Sequence, residues 1–217
     1  MKNKKGYIAF DLDGTLFETE PLAVAAVQKA IKILSDEGYY SREIPKPEEC
    51  TGVLGLINEE IWATLLPGAD KKTRKRAEVL VEEIEVTYLK EGLGNLYPGV
   101  TETLKVLKNE GWDFLVVSNG SEKYVKAVIK ERGLNPLFAG IYSAGEYQTK
   151  SKGELLAQAG QKFPQIKAMV GDRDSDVQAG KENNVFTVGC RYGYGNEEEI
   201  KEADRLINDF KEITDLF

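Results

Sequence analysis

The sequence predicts an open α/β fold, a doubly wound parallel sheet interrupted once by an all-helical insertion. Short apolar runs rich in Val, Ile and Phe recur at 7–10, 114–117, 168–170 and 185–188, each bounded by helical or turn-like sequence. Continuous apolar strands of this kind belong to a parallel sheet covered on both faces. The stretch from 18 to 96, about 80 residues, separates the first run from the second and carries helical periodicity, far more chain than one crossover helix needs.

The first strand, 7–10, stops abruptly at Asp11-Leu12-Asp13-Gly14-Thr15. In the insertion, Leu22, Ala26, Ala30, Ile33 and Leu34 repeat at helical spacing, and Val79, Ile84, Val86 and Leu89 are read as a second apolar stripe. Pro45, Pro47 and Pro67-Gly68 punctuate it. Trp62, Leu65 and Leu66 are expected in its core, and 51–56, with Gly52 and Gly55, as a loop. The boundaries follow: 1–17 with 96–217 as the core domain and 18–95 as a helical cap, with hinges near 17–21 and 92–98. After Pro98, helices at 100–109, 123–132, 153–162 and 174–183 alternate with the strands, and 140–143 and 205–207 are weaker strand candidates.

The 217 residues allow one or two domains. A formal net charge of −7, with basic residues scattered among acidic ones, argues against nucleic acid as a partner. Cys50 and Cys190, alone and far apart, make neither a disulfide framework nor a zinc pattern, and two reduced thiols fit the cytoplasm. The basic start is followed by too short an apolar run for a signal peptide, and no run approaches the length of a membrane span. The chain has no histidine, which removes the Ser-His-Asp and Cys-His schemes and the commonest zinc sites. The chemistry left uses carboxylates, Lys, Ser/Thr or a hard metal ion.

Open α/β sheets bind ligands beyond the carboxyl ends of their strands. There the sequence places Asp11 and Asp13, then Ser118-Asn119-Gly120, then Gly171-Asp172-Arg-Asp-Ser-Asp176. Each alone is an ordinary turn or helix cap, except Asp11, which extends a buried strand. Brought together by parallel packing, the carboxylates would repel one another unless a cation sat among them, and with only oxygen donors Mg²⁺ suits the set. Asp174 falls on another side of its helix. The Tyr192-Gly-Tyr-Gly195 tract, after the last clear strand, is expected to turn beside the site.

These residues, with a Lys ahead of a helix at Lys152, resemble the four motifs of the haloacid dehalogenase superfamily, in its phosphoglycolate phosphatase-like group with a helical cap. The resemblance spans essentially the whole chain and implies a Rossmann-like core. It also implies a Mg²⁺-dependent phosphatase in which Asp11 is the nucleophile that forms an aspartyl-phosphate. Asp13 would be general acid and then base, its backbone carbonyl joining the metal. Ser118, Asn119, Gly120 and Lys152 would bind the phosphoryl group, Asp11, Asp13 and Asp172 would hold the metal, and Asp176 would support it from behind. Lys150 is the rival lysine, because many relatives carry Lys-Pro-x-Pro before that helix. Glu18 departs from the group's usual Asp, whereas Glu20 matches its common Glu. The expected substrate is a small phosphate monoester such as phosphoglycolate, with pyrophosphate or a nucleotide as rivals, and the expected state a monomer or homodimer. A sugar-phosphate mutase is disfavoured by the missing histidine after the first motif, and a dehalogenase by Asp13 and the metal residues.

Overall fold

The central strand is the first one, and the computed structural model, which describes residues 4–41, 43–56 and 58–217, shows why. In chain order the elements begin with β1 (Gly6–Phe10), β2 (Phe17–Glu18), α1 (Glu20–Asp36), α2 (Pro47–Thr51), α3 (Asn58–Leu65), α4 (Lys71–Lys90) and β3 (Asn95–Leu96). They continue with α5 (Val100–Asn109), β4 (Trp112–Ser118), α6 (Glu122–Glu131), β5 (Phe138–Ser143), α7 (Ala144–Tyr147) and α8 (Lys152–Lys162). The last are β6 (Ile166–Gly171), α9 (Asp174–Glu182), β7 (Phe186–Cys190), α10 (Glu197–Ile200), β8 (Arg205–Ile207) and a 3-10 turn, Phe210–Asp215. The chain divides into two compact units, 1–18 with 95–217, and 19–94.

In the first unit, six strands run in the order β5-β4-β1-β6-β7-β8, every pair parallel. From β1 the chain builds outward on one side through β4 and β5, then crosses to build the other side through β6, β7 and β8. The reversal falls at β1, so the ligand crevice of such a sheet opens beyond the carboxyl ends of β1 and its neighbours. On one face Ala9, Leu115, Val117 and Met169 pack with Leu155, Leu156 and Ala159 of α8 and Ala179 of α9. On the other, Phe10 meets the rings of Phe114 and Phe138 edge-on, at centroid distances of 5.7 and 6.5 Å, and the ring of Phe210 at a tilt. Both 140–143 and 205–207 are strands of this sheet, the former extended back to Phe138. The strand read at 185–188 begins one residue later, because Val185 N donates to Gly180 O and closes the end of α9, with Asn184 left-handed at φ 53°.

Beside the sheet, β2 and β3 form a two-residue antiparallel ladder, Phe17 opposite Leu96 and Glu18 opposite Asn95. The sequence predicts only hinges there, since two residues show no periodicity.

The second unit is helical. Val27, Ala30, Ile31 and Leu34 of α1 bury with Trp62, Leu65 and Leu66 and with Ala77 and Leu80 of α4. Asp70 caps α4, accepting from Thr73 N at 2.7 Å. The stripe read on α4 is corrected in part. Leu89 is buried and Ile84 packs against the core as read, but the buried residues also include Thr73, Ala77 and Leu80, with Val81 packed alongside, whereas Val79 and Val86 remain partly exposed. Spacings of four, seven and eight hold one helical face, and the steps from Val79 to Ile84 to Val86 do not. Among the described residues no helix is long and apolar enough to cross a membrane.

Replacing Phe10, which is wholly buried, by Ala should lower the unfolding free energy of the sheet unit by about 3–5 kcal/mol, read as a shift of the urea midpoint. A loss below about 1 kcal/mol would contradict its place at the centre of that core.

Candidate active site

β1 delivers Asp11 directly: its N donates to Val170 O at 2.8 Å, so the ladder with β6 runs one residue past the strand and fixes the carboxylate at the crevice. The chain then turns tightly. Leu12 O accepts from Leu16 N and Phe17 N, both at 2.9 Å, while Leu12 keeps its side chain wholly buried. Gly14 is left-handed at φ +78°, and a Cβ there would run into the Asp172 carboxylate, so glycine is needed on two counts.

Lys152 lies at the start of α8, after its N-cap Ser151, whose Oγ accepts from Glu154 N at 3.1 Å. Its ammonium reaches Asp11 Oδ2 at 3.0 Å and Asp176 Oδ1 at 2.6 Å, with all three side chains almost completely buried. Lys150 is exposed, and its backbone N donates to Glu154 Oε2. Only Lys152 of the two is in the cluster. Asp176 also accepts from Arg173 N at 3.0 Å, which closes the first turn of α9.

Asp172 follows β6 and is wholly buried. Its Oδ1 accepts from Thr15 Oγ1 at 3.3 Å and its Oδ2 from Tyr194 N at 2.7 Å and Gly195 N at 3.3 Å. The Tyr192–Gly195 tract is therefore a loop that grips Asp172 through its backbone, while Tyr192 Oη donates to Thr15 O at 3.0 Å. Asp174 is exposed and accepts from Gln178.

At the end of β4, buried Ser118 accepts from Gly120 N at 3.1 Å through its Oγ, and Asn119 and Gly120 are partly exposed beside it. Asp13 is partly exposed, and its Oδ1 accepts from Tyr124 Oη at 2.5 Å. The expected turn of 192–195 beside the site is found, its part as a backbone donor to Asp172 being new. The sequence assigns no role to Thr15 or Tyr124, and only the proximity of Thr15 to Asp13 in the chain signals the first.

The electrostatics follow from burial. Desolvation, then the neighbouring charge of Asp176, pushes Asp11 well above the usual carboxylate range, against the pull of Lys152. The same two causes raise Asp172 to about 7 despite the amide groups of Tyr194 and Gly195. Burial works against the Lys152 ammonium, yet Asp11 and Asp176 outweigh it and hold the group more basic than an ordinary lysine. Asp11, Asp172 and Asp176 each offer an oxygen, all within 4.8 Å of one another. Three carboxylates against one ammonium leave negative charge that a hard divalent cation would neutralise, and the all-oxygen donor set fits Mg²⁺. The carboxylate of Asp13 is outside that trio and turned to Tyr124.

A family model described as haloacid dehalogenase-like hydrolase matches residues 6–184. A phosphoglycolate phosphatase of Haemophilus influenzae is 30% identical over 226 residues, 96% of each chain. Another, of Vibrio cholerae, is 30% identical over 91% of this chain and 89% of its own. Among solved structures, one described as a predicted phosphoglycolate phosphatase from Haemophilus somnus matches with a TM-score of 0.83 at 23% identity, covering 100% of this chain and 99% of that one. CbbY of Rhodobacter sphaeroides, solved in complex with phosphate, matches with a TM-score of 0.80 at 23% identity over 96% of both. At these identities the structures attest the shared fold.

The raised carboxylates make a prediction for the metal-free chain. A carboxyl group whose folded pKa exceeds its unfolded value binds more protons when folded, so stability falls as pH rises between the two, here from 3.8 to about 7 for Asp172. Across that window the melting temperature of the wild type should decline with pH relative to that of Asp172→Asn, and added Mg²⁺ should oppose the decline at pH 7. An unchanged decline in Asp172→Asn would contradict the account.

Proposed function

Because the chain belongs to the haloacid dehalogenase-like hydrolases and is a phosphoric monoester hydrolase, we propose that it is a Mg²⁺-dependent phosphatase of small phosphate monoesters, working through an aspartyl-phosphate on Asp11. Phosphoglycolate is the first candidate substrate, since relatives alike over nearly the whole chain are phosphoglycolate phosphatases. The observation that carries the reading is the buried contact of 3.0 Å between Asp11 and Lys152 at the carboxyl end of the central strand.

The roles follow from what each side chain touches. Asp11 attacks phosphorus through one carboxylate oxygen; the ester P–O bond breaks, and a proton from Asp13 goes to the leaving alcohol oxygen. In the second step a water attacks phosphorus, its proton passes to Asp13, and the Asp11–phosphorus bond breaks to release phosphate. Lys152 holds Asp11 in place and favours its ionised form against the burial that opposes it, and its charge draws the phosphoryl oxygens. The Ser118 hydroxyl, which already accepts from Gly120 N, donates its own proton to a phosphoryl oxygen, with the amides of Asn119 and Gly120 beside it. Asp11, Asp172 and the backbone carbonyl of Asp13 would hold Mg²⁺, with Asp176 steadying Lys152 behind them. When bound, the ion supplies Lewis-acid charge neutralisation at the transferring phosphoryl group. The inserted unit, 19–94, is assigned the part of a cap that excludes bulk water from the intermediate.

Asp11→Asn should abolish turnover of a phosphate monoester, and chelation of divalent ions should do the same to the wild type, reversed by Mg²⁺. Lys152→Ala should cost about a hundredfold or more in kcat. Lys150→Ala should stay within about twofold, as ordinary surface replacements do. Steady-state release of inorganic phosphate measures all of these; a larger loss at Lys150 than at Lys152 would overturn the lysine assignment.

A further inference from the structure

We infer that Tyr124 is a positioning residue for Asp13, holding its carboxyl group in the orientation from which it passes the proton. The inference rests on the reading of Asp13 as acid and base above.

Two separate anchors fix Tyr124. Its backbone belongs to the first turn of α6, where its N–H donates to the N-cap Ser121 Oγ at 3.3 Å. Its phenol donates to Asp13 Oδ1 at 2.5 Å, at the short end for an O–H bonded to a carboxylate, and the residue is only 6% exposed. The loop before α6 is itself held, with Gly145 N donating to Gly120 O at 3.2 Å. It also runs tight against the ring: a Cβ on Gly120 would stand 3.2 Å from Tyr124 Cδ1 and 3.3 Å from Ser118 Oγ. The phosphoryl-binding turn and the phenol are thus one packed unit. Because β4 pairs in register with β1, Phe10 opposite Val116, that unit is set a fixed distance from the Asp11–Asp13 loop.

A carboxylic acid that protonates a leaving group must present its proton-bearing oxygen toward that group. With the phenol donating to Oδ1, the plane of the Asp13 carboxyl group is set. In the first step the Asp13 proton moves to the ester oxygen as the P–O bond breaks and the Asp11–phosphorus bond forms. In the second, the proton of the attacking water returns to Asp13 as the Asp11–phosphorus bond breaks. Tyr124 keeps its own proton throughout. Phenylalanine would fill the same space and lose the orienting bond.

The test compares wild type, Tyr124→Phe, Asp13→Asn and the double variant by kcat/KM on two probes. In p-nitrophenyl phosphate the leaving group departs without a proton, and in glycerol 2-phosphate it needs one. Tyr124→Phe should lose about tenfold to a hundredfold on the alkyl ester, the scale of a hydrogen bond to a charged group. Its loss on the aryl ester should stay below about threefold, where proton donation matters little. KM and the melting temperature should hold, and the double variant should be no worse than Asp13→Asn. Equal losses on both esters, or an added loss in the double variant, would mark Tyr124 as merely structural and overturn the inference. A leaving-group-dependent loss in Asp13→Asn with Tyr124→Phe like wild type would overturn it too, yet leave the reading of Asp13 standing. Equal losses on both esters in Asp13→Asn would remove that reading and this inference with it.

Discussion

Three buried carboxylates, Asp11, Asp172 and Asp176, share one buried ammonium, Lys152, at the carboxyl edge of the sheet. Such a cluster is costly unless every lone pair and charge is answered, and the surrounding chain is arranged to answer them. α8 brings Lys152 in at its first turn, the amides at 173, 194 and 195 cover carboxylate oxygens, and Thr15 covers another. Glycines stand where the carboxylates come closest to backbone: a Cβ at Gly171 would strike Asp176, and one at Gly14 or Gly193 would strike Asp172. The charge still left over is what makes a divalent cation fit.

The same economy separates two carboxylates that stand two residues apart. Asp11 is paired with a lysine and walled off from solvent, while Asp13 is partly exposed and bonded to a phenol. Different partners make different reagents of the same side chain. A carboxylate held by an ammonium suits nucleophilic attack, and a carboxyl group on a neutral hydroxyl suits passing a proton in both directions.

The sheet and the polar strand ends at Asp11, Ser118 and Asp172 were legible because burial on both faces writes continuous apolar runs, and because polar residues interrupt them abruptly. The lysine was harder. Lys150 and Lys152 look alike in the chain, and only the helix start at Ser151 decides that the second faces inward and the first faces solvent. Tyr124 had no legible signal at all, since an aromatic residue near the start of an amphipathic helix reads as core, which its ring also is. The pairing of β2 with β3 and part of the apolar face of α4 were lost for related reasons: two residues have no period, and a helix with scattered Val and Ile offers more than one stripe. Tertiary packing chose between them.

The central claim is that Asp11 carries the phosphoryl group. Acyl phosphates are reduced by borohydride, which would convert a phosphorylated aspartate to homoserine. The protein should therefore be mixed with Mg²⁺ and a phosphate monoester, quenched into borohydride within the first turnovers, digested and read by peptide mass spectrometry. Homoserine at position 11, absent without substrate and absent in Asp11→Asn, is the predicted result. Turnover with no modified carboxylate, or with the modification at Asp13 or Asp172 instead, would contradict the account.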